Sequence, residues 1–447
     1  MKSPQIPPSF QELLAKYAKG GRLSDIIALG GSVSGDEYPH WDKLRPLSPP
    51  SGFTAEEWWL AVKFQRHGAF KPLPLHDKQG RPFQFWVPDL VQAQLYDLDV
   101  GAGVTSGIPE QITNRQTRDR YVTRSLMEEA ITSSQLEGAV TTREVAKEMI
   151  RSGRGPRDTS ERMILNNYET MRRITELKSE ALSPEVVLDL HRLVTNQTLD
   201  DPTAAGRLRR PEEQRAVGDE FGEVFHDPPP ASELPRRLED LCAFANGKTP
   251  GYFVHPVVRA IALHFWLAYD HPFVDGNGRT ARALFYWAML HAGYRLFEFV
   301  SISNILRHAP VEYGRSFLFT ETDDNDLTYF LVAQTKVIRQ AVIALHDYLA
   351  RKTTERRELE TRLRALNLFN HRQGELIRHA LKHPYQEYSL AGHQKSHNVV
   401  YQTARADLLD LKARGVLEEK KRGKRMLFTA RADLAERLRR LESGARA

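Results

Sequence analysis

The chain has 447 residues, of which 41% are hydrophobic and 27% are charged. This composition excludes an intrinsically disordered or fibrous protein, and the length suffices for about three domains of roughly 150 residues each. Cys242 is the single cysteine, so a disulfide framework and a zinc site that needs two cysteines are also excluded.

Charge is distributed unevenly along the chain, whose formal net charge is +6. Residues 351–447 contain 23 Lys and Arg against 12 Asp and Glu, which gives this segment a net charge of +11. The preceding 350 residues hold the remaining 40 basic and 45 acidic residues, a net charge of −5. The C-terminal end is therefore strongly basic.

The sequence shows neither a secretion signal nor a membrane span. Residues 1–21 lack the apolar core and the small-residue cleavage site of a signal peptide. The longest apolar stretch, residues 257–269, is interrupted by Arg259 and His264. The sixteen histidines show no metal-ligand spacing. We expect a cytoplasmic protein.

Residues 1–110 are predicted to be an N-terminal extension, in which proline-rich turns alternate with short aromatic runs. Large aromatic side chains bury extensive area, so we expect those of this segment to be core residues. We assign the segment no chemistry.

A helical domain is predicted over residues 111–350, where apolar residues recur at three- and four-residue spacing. Ser183 followed by Pro184 is typical of a helix start. Residues 206–230 interrupt the pattern with short apolar pieces around glycines, which predicts a small β-hairpin. Two helices that are apolar on nearly all sides, and therefore belong in a core, are predicted at about 256–269 and 277–291.

The segment between these two helices carries the most specific pattern, HPFVDGNGRTAR over residues 271–282. Gly276 and Gly278 allow backbone N–H groups to converge on an anion, and a helix start there adds partial positive charge. Arg279 and Arg282 lie three residues apart, so both guanidiniums can face one phosphate. The pattern therefore indicates phosphate binding.

Two further side chains in this segment suit phosphate chemistry. Asp275 can hold Mg²⁺, which takes one or two carboxylates together with substrate phosphates. His271, with an ordinary pKa near about 6.5, can accept a proton from an attacking hydroxyl. The structural alternative is a capped turn with hydrogen-bonded side chains, but eight defined positions coincide by chance with odds below roughly 10⁻⁶.

Residues 271–282 match HxFx(D/E)GNGRxxR at every defined position, and the chain thereby resembles Fic-domain proteins. The resemblance implies a domain that binds ATP and Mg²⁺, transfers AMP to a Ser, Thr or Tyr hydroxyl of a target protein and releases pyrophosphate. It implies His271 as the catalytic base, Asp275 as the metal ligand and Phe273 as the anchor of the loop. The implied ATP-binding residues are Gly276, Asn277, Gly278, Arg279 and Arg282.

Three more features follow from the resemblance. Residues 206–230 resemble the family's flap, a hairpin that holds the target backbone by strand addition, with an ordinary surface hairpin as the alternative. Relatives that act as kinases carry Lys where this chain has Gly278, which favours nucleotidyl transfer over phosphorylation. Tyr313 lies in a segment similar to the family's adenine-contacting tyrosine pair and is a candidate ATP-binding residue, although Gly314 replaces the second tyrosine.

A second motif precedes the core, at the end of a helix predicted over about 120–138. Ser133, Glu137 and Gly138 match (S/T)xxxE(G/N), the inhibitory pattern of Fic proteins. The resemblance implies that Glu137 pairs with Arg282 and keeps the γ-phosphate from its productive position. In some relatives the same Glu aligns a water that removes AMP. The alternative is a solvated glutamate on a helix surface.

Residues 351–447 are predicted to form a separate domain with helices near 375–382 and 398–413. Residues 398–417 resemble the recognition helix and following strand of a winged helix, with Gly423 at the tip of the wing. The basic residues of the wing are Lys420, Lys421, Arg422, Lys424 and Arg425. This domain could contact DNA phosphates. Because Asp407 and Asp410 share the helix, a role in binding protein partners or packing is the alternative.

The predicted fold is mainly α. It comprises an N-terminal extension over residues 1–110, a Fic-type helical core with a small β-hairpin flap over residues 111–350, and a C-terminal winged-helix domain over residues 351–447. The predicted activity is that of a protein adenylyltransferase inhibited by Glu137. The alternative is a DNA-binding transcriptional regulator whose Fic site is a vestigial nucleotide sensor. The sequence leaves self-modification and formation of a homodimer open.

Overall fold

The computed structural model describes residues 2–30, 38–101, 115–213, 216–218, 222–365, 368–383, 386–422, 425–431 and 433–444. The chain divides into two compact units. Unit 1 comprises residues 1–107 and 123–342, and unit 2 comprises residues 108–122 and 343–447. The predicted domain boundaries near residues 110 and 350 stay predictions.

The N-terminal part of unit 1 consists of short helices and a hairpin. The helices are α1 (Phe10–Lys19), α2 (Leu23–Leu29), α3 (Trp41–Leu44), α4 (Ala55–His67) and α5 (Asp89–Gly101). Strands β1 (Lys71–His76) and β2 (Pro82–Phe85) pair antiparallel. Trp41, Trp58 and Trp59 are buried in a cluster formed by α1 to α4, which agrees with the expectation that the aromatic residues of this segment form a core.

The rest of unit 1 is mainly helical. Its helices are α6 (Arg115–Leu136, whose first residues belong to unit 2), α7 (Arg143–Ser152), α8 (Thr159–Leu177), α9 (Pro184–Val194), α10 (Leu234–Ala245), α11 (Pro256–Asp270), α12 (Asn277–His291), α13 (Ile302–Leu306), α14 (Pro310–Thr322) and α15 (Thr328–Ala365, whose last residues belong to unit 2). Helix α9 begins as predicted, because the Ser183 side chain accepts a hydrogen bond from the Val186 N–H and Pro184 occupies the first turn.

Helices α11 and α12 lie at the centre of unit 1 and position the predicted site. They pack against each other, and most of their residues are buried, as their apolar composition predicts. The short strands β3 (Val217–Gly218) and β4 (Val224–His226) form an antiparallel hairpin within the predicted flap. The residues at its turn, 219–221, lie outside the described residues.

The described residues of unit 2 form four helices after α15 and one three-stranded sheet. The elements are α16 (His371–Lys382), β5 (Glu387–Ser389), α17 (Leu390–His397), α18 (Tyr401–Ala413), β6 (Leu417–Arg422), β7 (Arg425–Ala430) and α19 (Leu434–Gly444). The sheet is antiparallel in the order β5-β7-β6. Ile377, Leu408 and Phe428 are fully buried in its core. Gly423, the predicted wing tip, lies outside the described residues.

Several helix boundaries differ from the sequence prediction. Helix α16 begins at His371, before the predicted start near 375, and α6 begins at Arg115, before the predicted start near 120. The helix predicted from residue 398 begins at Tyr401, because Asn398 adopts the left-handed conformation (φ 49°) and ends α17 instead. Helix α6 ends at Leu136, two residues before the predicted end, and Gly138 is left-handed with φ 92°. Among the described residues, none of the helices has the length and apolarity that a membrane crossing requires.

Candidate active site

The loop between α11 and α12 begins with a strained backbone at His271. Its φ of 44° and ψ of 55° are left-handed, a conformation that costs a non-glycine residue about 1–2 kcal/mol. Arg209 holds the loop in place: its Nε donates to the His271 carbonyl at 2.9 Å, and its backbone N–H donates to the Pro272 carbonyl at 2.9 Å. The surrounding structure therefore fixes the direction in which the loop leaves α11.

Asn277 closes the same loop from the other end. Its Oδ1 accepts from the Phe273 N–H at 2.9 Å, and its Nδ2 donates to the Phe273 carbonyl at 2.8 Å. Phe273 is fully buried, as expected of an anchor. The structure gives Asn277 a role in shaping the loop, in addition to the predicted role in binding phosphate.

His191 on α9 packs against the loop. The sequence analysis did not identify it as a residue of the site. Its ring stacks on Phe273 with centroids 3.7 Å apart and planes at 6°. Its Nδ1 accepts from the Gly206 N–H at 3.0 Å, so its Nε2 carries the proton and donates to the Asp275 carbonyl at 2.9 Å. Burial lowers the pKa of His191 to about 4, which keeps this neutral tautomer at physiological pH.

Gly276 is required by both conformation and space. Its φ is 81°, and a Cβ at this position would lie 2.7 Å from the Thr195 side chain. The close approach brings the start of α12 against the end of α9. The first backbone N–H groups of α12 follow His271 closely in the sequence. Because N–H groups at a helix start have no acceptor within the helix, they can bind an anion.

His271 is half-buried, and its pKa is lowered to about 4. Burial is the main cause, and positive charge on His226 adds to it. A lowered pKa leaves the imidazole neutral near pH 7, which is the form that accepts a proton. The structure thus gives His271 the protonation state that a general base requires.

His226 on β4 is a second residue that the sequence analysis missed. Its Nδ1 lies 2.7 Å from Glu321 Oε2, and its Nε2 lies 2.7 Å from the Tyr269 carbonyl. The Tyr269 carbonyl can only accept, so Nε2 carries a proton, and a protonated ring would also donate from Nδ1 to Glu321. Burial alone would lower the pKa of His226, but these hydrogen bonds and the Glu321 charge outweigh burial and raise it. The raised pKa favours the charged ring, which would link the hairpin to the end of α11.

The two arginines of the signature have different partners. Arg279 Nη1 donates to the Val194 carbonyl at 3.1 Å, and its Nη2 donates to Asp275 Oδ2 at 3.3 Å. Arg282 instead turns towards Ser133, with its Nε 2.8 Å from the hydroxyl and its Nη2 3.0 Å from the carbonyl. Arg282 and Arg279 are both buried. The expectation that both face one phosphate stays a prediction.

Glu137 lies at the centre of this arrangement. Its Oε1 accepts from Arg282 Nη2 at 2.8 Å. A Cβ added at Gly278 would lie 2.2 Å from the same Oε1, so the carboxylate rests directly against the first turn of α12. The Arg282 side chain is 2% exposed and that of Glu137 is 25% exposed. The structure therefore brings Ser133 and Glu137 together with Arg282, 145 residues away in sequence from Glu137.

Tyr313 lies on α14 and interacts electrostatically with Arg282. Its hydroxyl is 2.7 Å from His264 Nε2, and burial raises the pKa of Tyr313 to about 12. His264 is buried, and its pKa is lowered to about 3, mainly by desolvation. Contact between Tyr313 and an adenine stays a prediction.

Asp275 fits the requirements of a magnesium ligand. Its side chain is 54% exposed, next to the start of α12, and Arg279 contacts one of its oxygens. Among the described residues, no cluster of three or more His, Cys, Asp or Glu is arranged to hold a metal. A cation at Asp275 would therefore take its remaining ligands from phosphate oxygens and water, as Mg²⁺ commonly does.

Comparison with known proteins agrees with the signature. Residues 181–289 match the model of the Fic/DOC family, a range that includes His191, Arg209 and the whole of 271–282. This part of the chain is therefore similar to the Fic/DOC family. Ser133, Glu137 and Tyr313 lie outside the matched range.

Three curated relatives are named protein adenylyltransferase Fic. The protein of Nematostella vectensis is 34% identical over 117 residues, which are 26% of this chain and 25% of the relative. That of Aedes aegypti is 33% identical over 117 residues, or 26% and 21% of the two chains. That of Drosophila willistoni is 37% identical over 108 residues, or 24% and 20%. The chain thus matches about a quarter of these relatives' length or less.

Solved structures of Fic proteins also resemble this chain. A Fic family protein from Desulfovibrio desulfuricans G20 is 19% identical with a TM-score of 0.48, and the match covers 76% of this chain and 94% of that one. Fic-1 from C. elegans is 22% identical with a TM-score of 0.42, and the match covers 59% and 72%.

Proposed function

We propose that this protein transfers AMP from ATP to a Ser, Thr or Tyr hydroxyl of a target protein. The observation that carries the proposal is a neutral, half-buried His271 held on one loop with the glycine-lined start of α12. His271 accepts the hydroxyl proton, and the hydroxyl oxygen attacks the α-phosphorus. The bond from the α-phosphorus to the β-phosphate oxygen then breaks and pyrophosphate leaves.

The start of α12 supplies the phosphate site. Backbone N–H groups from Gly276 to Gly278 would receive phosphate oxygens, and Arg279 would stabilise their charge. Asp275 would hold Mg²⁺, which neutralises phosphate charge when bound. Arg282 would receive the γ-phosphate once Glu137 has left it. The enzyme thereby contributes position and charge, the main contributions required for this class of reaction.

The β3–β4 hairpin is proposed to hold the target. Val217 and Val224 are exposed on it, the latter by 58%. His226 ties its second strand to the Tyr269 carbonyl, two residues before the catalytic base. An extended target segment that pairs with the hairpin would therefore present its hydroxyl at a defined distance from His271.

Inhibition by Glu137 is part of the proposal. Its carboxylate already pairs with the buried guanidinium of Arg282. The negative charge of this carboxylate repels a phosphate that approaches the same guanidinium. ATP would still enter, with its γ-phosphate displaced from the productive position. Removal of AMP by a water that Glu137 aligns is a further proposed activity, and release of AMP from a modified target would measure it.

Labelled ATP distinguishes the transferase from a nucleotide sensor. Under the proposal, Glu137→Gly incorporates label from α-labelled ATP into protein, its own chain or a target, and none from γ-labelled ATP. A DNA-binding regulator with a vestigial site would bind ATP and incorporate neither label. Incorporation from γ-labelled ATP alone would indicate phosphorylation. The double variant Glu137→Gly/His271→Ala serves as the control for chemistry that depends on the base.

A further inference from the structure

The element order of unit 2 contains a helix-turn-helix followed by a β-hairpin. Helices α17 and α18 are joined by residues 398–400, and the left-handed Asn398 sets the turn between them. Strands β6 and β7 follow directly and pair with β5 in one sheet. In helix-turn-helix proteins that bind DNA, the second helix enters the major groove and its N-terminal residues reach the base edges. The equivalent helix here is α18.

Helix α18 has one face in the core and one face outward. Ala404, Leu408 and Leu411 are fully buried against the rest of unit 2. Tyr401, Gln402 and Arg405 are exposed, and their spacing of three and four residues places them side by side on the first turns. Tyr401 keeps 53% of its surface exposed, which is unusual for a large aromatic residue.

The two acids of α18 lie away from this outer face. Asp407 is buried and accepts from Arg372 Nε at 2.7 Å and from Asn370 Nδ2 at 2.7 Å, both at the start of α16. His393 Nε2 on α17 lies 3.2 Å from the same carboxylate. Asp407 therefore joins three helices and contributes little charge to the surface.

Asp410 is likewise engaged. It accepts from Gln373 Nε2 at 2.8 Å and from Arg414 Nε at 2.9 Å. Asp407 and Asp410 therefore offset little of the basic charge on the outer face of α18, because Asp407 is buried and Asp410 pairs with Arg414. The exposed charged residues on α17 and the first turns of α18 are Lys395 and Arg405, and both are basic.

We infer that the outer face of α18, together with Lys395, binds duplex DNA in the major groove. Lys395 contacts a phosphate, Gln402 and Arg405 lie at base edges, and Tyr401 packs on the sugar or on a thymine methyl group. The net charge of +11 over residues 351–447 complements the phosphate backbone. This binding is separate from the proposed AMP transfer and does not depend on it.

The test is fluorescence anisotropy of a labelled mixed-sequence DNA duplex, titrated with the full chain at several salt concentrations. We expect binding whose affinity falls linearly with salt on logarithmic axes. Lys395→Glu and Arg405→Glu should each weaken binding by roughly tenfold or more, and loss of the phosphate contact should reduce the salt slope by about one. Because both side chains are exposed, the thermal midpoint of each variant should equal that of the parent.

Arg236→Glu is the matched control, because Arg236 is exposed on α10 of unit 1 and its charge is reversed in the same way. It should bind the duplex as the parent does. Failure of the parent to bind duplex DNA, or equal binding by Arg405→Glu and the parent, would overturn the inference. Equally tight binding of duplex RNA would also contradict it, because the deep, narrow major groove of A-form RNA does not admit a helix.

Discussion

Glu137 Oε1 lies 2.8 Å from Arg282 Nη2 and also within contact distance of Gly278. One carboxylate therefore fills the space over the first turn of α12 and pairs with Arg282, the second arginine of the signature. Side chains larger than glycine at position 278 would displace it. The relationship connects a helix outside the matched Fic range to the predicted phosphate site, and it carries the proposal of inhibition.

Replacing Glu137 should raise the rate of the proposed AMP transfer. In Glu137→Gly, Arg282 becomes available to the γ-phosphate, and the gain in transfer should be at least about tenfold, equivalent to about 1.4 kcal/mol. Glu137→Gln retains a hydrogen-bond acceptor without the charge and should give an intermediate rate. Initial rates of α-label incorporation provide the measurement. Equal rates in all three proteins, with equal ATP affinity, would show that Glu137 does not inhibit.

Ser133→Ala should weaken the contact between Glu137 and Arg282, because the Ser133 hydroxyl also binds Arg282. Arg282 Nε loses its hydroxyl acceptor in a buried site, which costs about 1–3 kcal/mol. We expect a lower free energy of unfolding in urea and a rise in transfer smaller than that of Glu137→Gly. Ser179→Ala, at an exposed position after α8, is a control for loss of a hydroxyl. An unfolding free energy unchanged by Ser133→Ala would contradict this role.

His226→Gln should change the pH dependence of transfer. Removal of the imidazolium takes away one cause of the lowered His271 pKa, so that pKa rises from about 4 and the acid limb of the kcat/KM profile moves to higher pH. The Glu137→Gly background gives measurable rates. An acid limb at the same pH in both proteins would contradict the electrostatic role of His226.

The stability of His226→Gln provides a second test, because the direction in which its unfolding free energy depends on pH can be predicted. The folded state raises the pKa of His226, so the stabilisation by its proton is fully present below the unfolded pKa of about 6.5. It is lost as pH rises through the folded pKa. The difference in unfolding free energy between parent and variant should therefore be largest in mild acid and decrease towards alkaline pH. Denaturant titrations across this range measure it.

His191→Ala should slow turnover without touching any reacting atom. The change removes the stack on Phe273 and the hydrogen bond to the Asp275 carbonyl, so the loop loses its fixed position. A misplacement of about 1 Å can cost about 100-fold in rate. In the Glu137→Gly background, kcat should fall by tenfold or more on the same basis. His191→Gln can still donate and should recover part of the loss, whereas a purely structural role would affect both variants equally.

The local part of the site could be predicted from the sequence. Residues 271–282 are contiguous, and each side chain needed there is specified by the chemistry of a phosphate. The apolar composition of α11 and α12 also predicted two buried helices with this loop between them. The pairing of Glu137 with Arg282 followed from a family pattern, because spacing alone gives a glutamate on a helix no partner.

The remaining determinants of the site depend on tertiary packing. His191 and Arg209 contact the loop from segments 62 to 84 residues away in sequence, and neither lies in a pattern that distinguishes it from a surface residue. His226 is similar, since its charge depends on Glu321 in another helix. Asn398 ends α17, although the sequence predicted a helix start there. The spacing of apolar residues does not reveal that a single residue adopts the left-handed conformation.

The mass of the protein substrate tests the central claim most directly. Glu137→Gly, incubated with ATP and Mg²⁺ and then analysed by intact-mass spectrometry, should show a protein that has gained the mass of one or more AMP groups. The same incubation with Glu137→Gly/His271→Ala should show none, although ATP still binds. An equal gain in the double variant, or a gain matching phosphate in place of AMP, would contradict the assignment of His271 as the base of an AMP transfer.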